Sequence, residues 1–131
     1  MAPEHVVLDA SAWIDLLRQA TAGGAVRDRL KGRVLHAPAH VDAELLSVLG
    51  RLHRAGALAA AAVATHLGAV AAAPVTRHDV GPLLEGAWKR RHELRLADAL
   101  YVELADGLGA RLVTTDQRLG RATSIAEVVG S

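Results

Sequence analysis

Four carboxylates, Asp9, Glu44, Asp98 and Asp116, stand at positions from which they could act together. Asp9 follows the apolar run Val6-Val7-Leu8, and Asp116 follows Arg111-Leu112-Val113-Thr114-Thr115. Both runs are short and rich in β-branched residues, the pattern of a strand buried on both faces that delivers an acid to an edge. In a parallel sheet both acids emerge at the carboxyl ends of the strands, where open α/β sheets bind ligands. Asp98 opens a helix and faces the positive end of its dipole. Glu44 lies about 60° off the centre of its helix's apolar stripe at ~100° per residue, so it borders the core. Asp42 points roughly 160° away from Glu44 on the same wheel and is left out of the set.

Taken singly, each acid has a plain reading: Asp9, Asp98 and Asp116 as helix caps, Glu44 as a solvated helix residue. Taken together they predict convergence on one side of one sheet. Two carboxylates ~5 Å apart at an effective dielectric of about 20 repel by ~3 kcal/mol, and several such pairs rival the ~5–15 kcal/mol stability of a whole domain. Such a cluster needs a cation. Oxygen ligands without cysteine point to Mg²⁺ or Mn²⁺ rather than zinc, and such ions orient a phosphodiester, activate water and stabilise a leaving oxygen. Ser11 reads as the cap of the first helix and Thr114 as a strand threonine, although either hydroxyl could orient a ligand. Asp15 and Asp79 read as surface residues. The seven histidines show no H-x-x-x-H spacing and are assigned no metal.

Periodicity and punctuation set the elements that must position the acids. After the first strand, Trp13, Ile14, Leu16 and Leu17 form the sheet-facing side of a helix. Residues 20–24 read as a flexible turn, 25–30 as a short charged helix ending at Gly32, and 34–36 as a second strand closed by Pro38. Val41, Leu45, Val48, Leu49 and Leu52 make a continuous helical stripe, and Gly56 ends it. Residues 58–70 form an Ala-rich helix that pairs with this one as a hairpin. Val75 and Thr76 are a minimal third strand, and residues 80–92 read as one helix with Pro82 in its first turn. Residues 96–108 form a central helix ended by Gly107 and Gly109. A brief turn through Leu119 and Gly120 follows the Arg111 strand, and residues 125–129 read as an edge strand. Alternating strands and helices indicate an α/β fold with a short parallel sheet covered on both faces, in a single domain over residues 1–131.

Bulk composition agrees. At 131 residues and 51% apolar content the chain can bury one core, which Leu, Val and Ala must fill because aromatics are 2% and Phe is absent. The absence of cysteine excludes disulfides, thiolate metal sites and thiol nucleophiles, and suits a reducing, cytoplasmic setting. Met1-Ala-Pro-Glu-His carries no signal-peptide pattern. Residues 57–76 are interrupted by Thr65, His66, Gly68 and Pro74, so no membrane span is expected where ~20 strongly apolar residues are needed. A net charge of +1 neither demands nor excludes a nucleic-acid partner. Two basic clusters, Lys89-Arg90-Arg91-His92 with Arg95, and Arg111, Arg118 and Arg121, flank the acids.

In order and spacing, VVLDASAWIDLL, HVDAELLSVLGRL, LADALYVELADGLGA and LVTTDQRL resemble the PIN-domain family, specifically the VapC-type toxin ribonucleases of VapBC toxin–antitoxin systems. The resemblance spans nearly the whole chain. It implies a three-layer α/β/α fold, an endoribonuclease dependent on Mg²⁺ or Mn²⁺, a homodimer, an RNA substrate, and a VapB-type antitoxin whose C-terminal segment enters the acidic groove. Carried across, Asp9 and Asp98 would be the best-placed metal ligands, with Glu44 and Asp116 completing the pocket directly or through water. Leu96-Ala97 stand before Asp98, where many relatives carry more polar or aromatic residues.

Three other classes compete. A phosphoacceptor receiver domain needs a lysine near the last strand's end, and the chain has only Lys31 and Lys89. An aspartyl phosphatase needs a second Asp two residues after the first, where Ser11 stands. A non-catalytic module whose acidic groove captures an arginine-bearing peptide shares every residue with the nuclease. The hairpin and the surroundings of Trp88 read equally as partner surfaces and as core. Trp13, Trp88 and Tyr101 offer little base stacking, so recognition of RNA would rest on shape and backbone charge.

Overall fold

The computed structural model describes residues 2–19 and 22–130. Five strands, β1 (His5–Leu8), β2 (Val34–Pro38), β3 (Val75–His78), β4 (Arg111–Thr114) and β5 (Ala126–Val128), form one parallel sheet in the order β3-β2-β1-β4-β5. Helices α1 (Ala10–Arg18), α2 (Gly23–Leu30), α3 (Val41–Arg54), α4 (Ala60–Ala72), α5 (Leu84–Lys89), α6 (Leu96–Leu108) and α7 (Gln117–Ala122) flank it. The α/β class and the parallel sheet are therefore as the alternation of patterns indicates.

β1 is central because Val6, Val7 and Leu8 are all buried, matching their apolar run. Val7 registers with Leu112 and Leu8 with Val113, so β1 and β4 end side by side. The sheet grows from β1 toward β2 on one side and from β4 toward β5 on the other, which puts the topological switch point between β1 and β4. α6 packs across β1, β2 and β4, burying Tyr101, Val102 and Ala105, while Leu45 and Leu49 fill the core side of α3. The contacts between α3 and α4 are those of the expected hairpin.

Several boundaries differ from the sequence reading, each for a local reason. Of the turn expected at residues 20–24, positions 20 and 21 lie outside the described residues, and Gly23 and Gly24 open α2 instead. A Cβ on Gly23 would stand 2.6 Å from the Asp15 carbonyl oxygen, so only glycine lets α2 start this close to α1. The single helix expected over residues 80–92 is divided: Gly81–Leu83 form a 3-10 turn, α5 ends at Lys89, and i→i−3 bonds carry the chain through Arg90, Arg91 and Glu93. Pro82 disfavours α geometry at the residue before it. The turn expected through Leu119 is the helix α7, capped by Asp116 and anchored by buried Leu119. β2 and β3 are longer than expected, Gly107 lies inside α6, and the left-handed cap is Gly109. Asp79 is exposed, whereas Asp15 is half-buried.

Histidines far apart in sequence meet on the sheet. His5, His36 and His78, from β1, β2 and β3, form a row in which His5 Nδ1 lies 2.8 Å from His36 Nε2 and His36 Nδ1 lies 2.8 Å from His78 Nε2. Burial, then the neighbouring imidazoles, hold His36 below the usual histidine pKa.

Candidate active site

Asp9 caps α1. Its extended backbone, φ −95° and ψ 175°, lets Oδ1 accept the Ala12 amide at 2.9 Å. The cap assigned to Ser11 is therefore corrected: Ser11 already lies inside α1, and one non-helical residue alone separates β1 from the helix. Ser11 Oγ donates to Asp9 Oδ1 at 2.7 Å and accepts the Thr115 amide at 3.2 Å. Thr114 is more than a strand threonine, since its buried hydroxyl donates to Asp9 Oδ2 at 2.6 Å and accepts the Asp116 amide at 3.0 Å. Two hydroxyls thus tie the end of β1 to the end of β4 and fix the Asp9 carboxyl.

Asp9 is only 6% exposed, and burial pushes its pKa up to about 6 against the three hydrogen bonds from Thr114, Ala12 and Ser11, with the nearby Asp98 charge adding to the rise. Thr114→Val keeps the shape and removes one of those bonds, so the Asp9 pKa should climb above about 6. The acid limb of the pH–rate profile should then move to higher pH, and activity near neutrality should fall by about 10- to 100-fold. An unmoved limb would show that Thr114 does not tune Asp9.

Asp98 is the acid to which the charges of the other three couple. It occupies the third position of α6, so it is not an N-cap; Arg95 holds that place without a side-chain bond. Burial raises its pKa, Asp116 and Glu44 raise it further, and Arg118 and Arg95 oppose them. Asp116 caps α7, with Oδ1 accepting the Arg118 amide at 2.9 Å and the Leu119 amide at 3.4 Å. Its pKa is lowered: desolvation works upward, but the Arg118 side chain and the two α7 amides outweigh it. Among the described residues α1 and α7 are the helices whose N-cap side chain accepts a helix amide, and both caps are acids ending a central strand.

Glu44 borders the core as its helical position requires, and accepts the Tyr101 hydroxyl. Tyr101 is buried, 1% exposed, and burial followed by the Glu44 contact raises its pKa, so the phenol stays a donor. The His40 ring lies 4.7 Å from that of Tyr101, with Nε2 3.5 Å from Glu44 Oε1 and 3.2 Å from the Ala97 carbonyl oxygen. Asp42 is turned away and pairs with Arg77 at 3.0 Å. The sequence reading weighed Tyr101 only for base stacking and did not bring Tyr101 or His40 to Glu44. Their signals were spacings, since Tyr101 follows Asp98 by three helical positions and His40 precedes Glu44 by four.

Two grooves flank the acids. One, of about 160 Å³, is lined by Arg95, Asp98, Arg118 and Leu119; the other, of about 470 Å³, by Ala10, His40, Glu44, Ser47, Arg51 and Ala97. Among the described residues no three His, Asp or Glu side chains are drawn together tightly enough to clasp a metal ion as they stand. The donor set nevertheless fits a hard divalent cation: it is all oxygen, it is negative, and burial raises the pKa values of Asp9 and Asp98, at Asp98 against the opposing charge of Arg118. Beyond the site, Leu84, Trp88 and Leu96 are exposed and, with Leu100, line an apolar groove, while Leu46 is exposed on the hairpin.

The family model for the PIN domain matches residues 6–124. Ribonuclease VapC3 of Mycobacterium tuberculosis is 56% identical over 129 residues, covering 98% of this chain and 94% of that protein. Ribonuclease VapC12 of the same organism is 37% identical over 122 residues, covering 89% and 91%. Among solved structures, PAE2754 from Pyrobaculum aerophilum superposes with a TM-score of 0.73 at 27% identity, covering 96% of this chain and 83% of that one. M. tuberculosis VapC20, described as a toxin cleaving the Sarcin-Ricin loop, has a TM-score of 0.67 at 22% identity, covers 89% and 94%, and supports the fold alone.

Proposed function

Because this chain belongs to the PIN-domain family and within it to the VapC ribonucleases, we propose that Asp9, Glu44, Asp98 and Asp116 form the catalytic centre of an RNA-cleaving toxin dependent on Mg²⁺ or Mn²⁺. It is a nuclease, the endoribonuclease toxin of a toxin–antitoxin pair, with RNA as substrate and a VapB-type antitoxin as partner. One PIN domain spanning residues 1–131, a homodimeric state and a cytoplasmic location belong to the same proposal. Among the described residues no helix is long and apolar enough to cross a membrane.

What supports the site assignment is the Arg118 bridge, with Nη2 3.6 Å from Asp98 and 3.2 Å from Asp116, together with the electrostatic coupling of Asp9 and Glu44 to Asp98 beside the ends of β1 and β4. In this reading Asp9 and Asp98 would hold the ion, with Glu44 and Asp116 completing the pocket directly or through water. A bound Mg²⁺ or Mn²⁺ supplies Lewis acidity toward water and toward a phosphodiester oxygen. Everything else is done by the chain. Ser11, Thr114 and the Ala12 amide hold one orientation of the Asp9 carboxyl, and the Tyr101 hydroxyl does the same for Glu44. Arg95 and Arg118, on the rim of the smaller groove, present positive charge to a phosphate backbone. Near neutral pH Asp9, with a pKa of about 6, is mostly ionised and able to serve as a ligand.

The test is cleavage of purified cellular RNA by the purified chain. Fragments should form with Mg²⁺ or Mn²⁺, vanish with EDTA and return on adding Mn²⁺. Undiminished cleavage in EDTA would refute the metal assignment. One observation also favours the groove as a guanidinium receptor: Arg118 lies across Asp98 and Asp116. An arginine peptide that binds where no divalent ion does would support that module alone.

A further inference from the structure

A single nitrogen of Arg118, Nη2, lies 3.6 Å from Asp98 Oδ2 and 3.2 Å from Asp116 Oδ2. These acids come from different elements, the first turn of α6 and the cap of α7, and among the described residues no other cation bridges them. The guanidinium therefore offsets part of the charge of two carboxylates that would otherwise repel each other, leaving the trio at a net −1. An ion shared by Asp98 and Asp116 would have to displace it, since two cations cannot occupy the same carboxylate faces. The side chain is free to leave, being 46% exposed and rooted on a short surface helix. Its backbone amide, rather than the guanidinium, makes the cap with Asp116 Oδ1, so departure of the side chain leaves α7 capped.

We infer that Arg118 is a built-in counter-ion, which holds Asp98 and Asp116 together in the metal-free chain and is expelled when a divalent cation enters. The inference rests on the divalent-ion reading proposed above. It accounts for a set of acids that meets electrostatically without yet forming a clasp among the described residues. It also has a sign. A residue that merely positioned the ligands would strengthen metal binding, whereas a competing counter-ion weakens it.

The experiment is calorimetric titration of the full chain with Mn²⁺ alone, for wild type, Arg118→Gln, Arg118→Lys and Asp98→Asn, each checked for folding by circular dichroism. Arg118→Gln should bind Mn²⁺ about five-fold more tightly than wild type, the upper end for a half-exposed ion pair. Arg118→Lys keeps the charge and should stay near wild type, while Asp98→Asn should lose binding. Equal or weaker affinity in Arg118→Gln, with Asp98→Asn still defective, overturns the counter-ion role and leaves the metal site standing. Absence of Mn²⁺ binding in both wild type and Arg118→Gln overturns both.

Discussion

Asp9→Asn should abolish RNA cleavage and, in the same step, stabilise the fold at neutral and alkaline pH. The loss of activity should exceed about 100-fold, because removing an ion-holding group costs more than removing the partners that orient one. The gain in stability follows from burial. The pKa of Asp9 in the folded chain is raised to about 6 against 3.8 for the free group, so its contribution is fully favourable below about pH 4 and is lost as pH rises through about 6. By about pH 8 the ionised carboxylate costs on the order of 3 kcal/mol, which asparagine avoids. About 1 kcal/mol of that is returned if the Thr114 hydroxyl is left without its acceptor. Urea unfolding in EDTA at about pH 5 and about pH 8 reads the effect as an advantage of the variant that grows with pH. His36 runs the other way: its lowered pKa gives stability that is present above the usual histidine pKa and falls away in acid. Both proteins share that term, so it cancels in the comparison. An advantage independent of pH would mean that Asp9 is not the strained group.

Asp98→Asn should produce the second large effect, and on a different quantity. Wild-type chain at an Mn²⁺ concentration of about 100 times its dissociation constant should gain ~2.7 kcal/mol of unfolding free energy, because the ion binds the folded acids and not the unfolded chain. The variant should gain almost nothing. Asp98 feels Asp116 and Glu44, and Asp9 feels Asp98, so its loss removes the one acid through which the others are linked. Cleavage should drop by more than about 100-fold as well. The metal-free variant should keep near wild-type stability, since the lost Arg118 contact is partly exposed and relief of repulsion from Asp116 and Glu44 offsets it. An undiminished Mn²⁺ response in the variant would place the ion elsewhere.

Most of the fold was legible because its signals are local. Val6-Val7-Leu8 has no polar face, so it belongs inside a sheet, and the residue after it must reach an edge. The apolar circumference of α6 and the glycine after it mark Leu96–Leu108 without reference to anything distant. The same kind of signal misled where two local rules competed. Serine and aspartate are both good caps, and the choice between Ser11 and Asp9 was decided by how abruptly β1 turns into α1. Six residues after Asp116 were too few to show a period, and α7 is held by its cap and by the burial of one leucine.

By itself the sequence determined which residues are acids, which strands and helices carry them, and that Asp9 and Asp116 sit at strand ends. Only the tertiary structure decided their company: Thr114 on Asp9 across 105 positions, Tyr101 on Glu44 across 57, and Arg118 spanning Asp98 and Asp116. It likewise decided that three histidines would line up across β1, β2 and β3. Periodicity reports which side of an element is apolar, a property of a few neighbouring residues. Strand order and register set what that side, and its polar edges, will meet, and no short-range pattern encodes them.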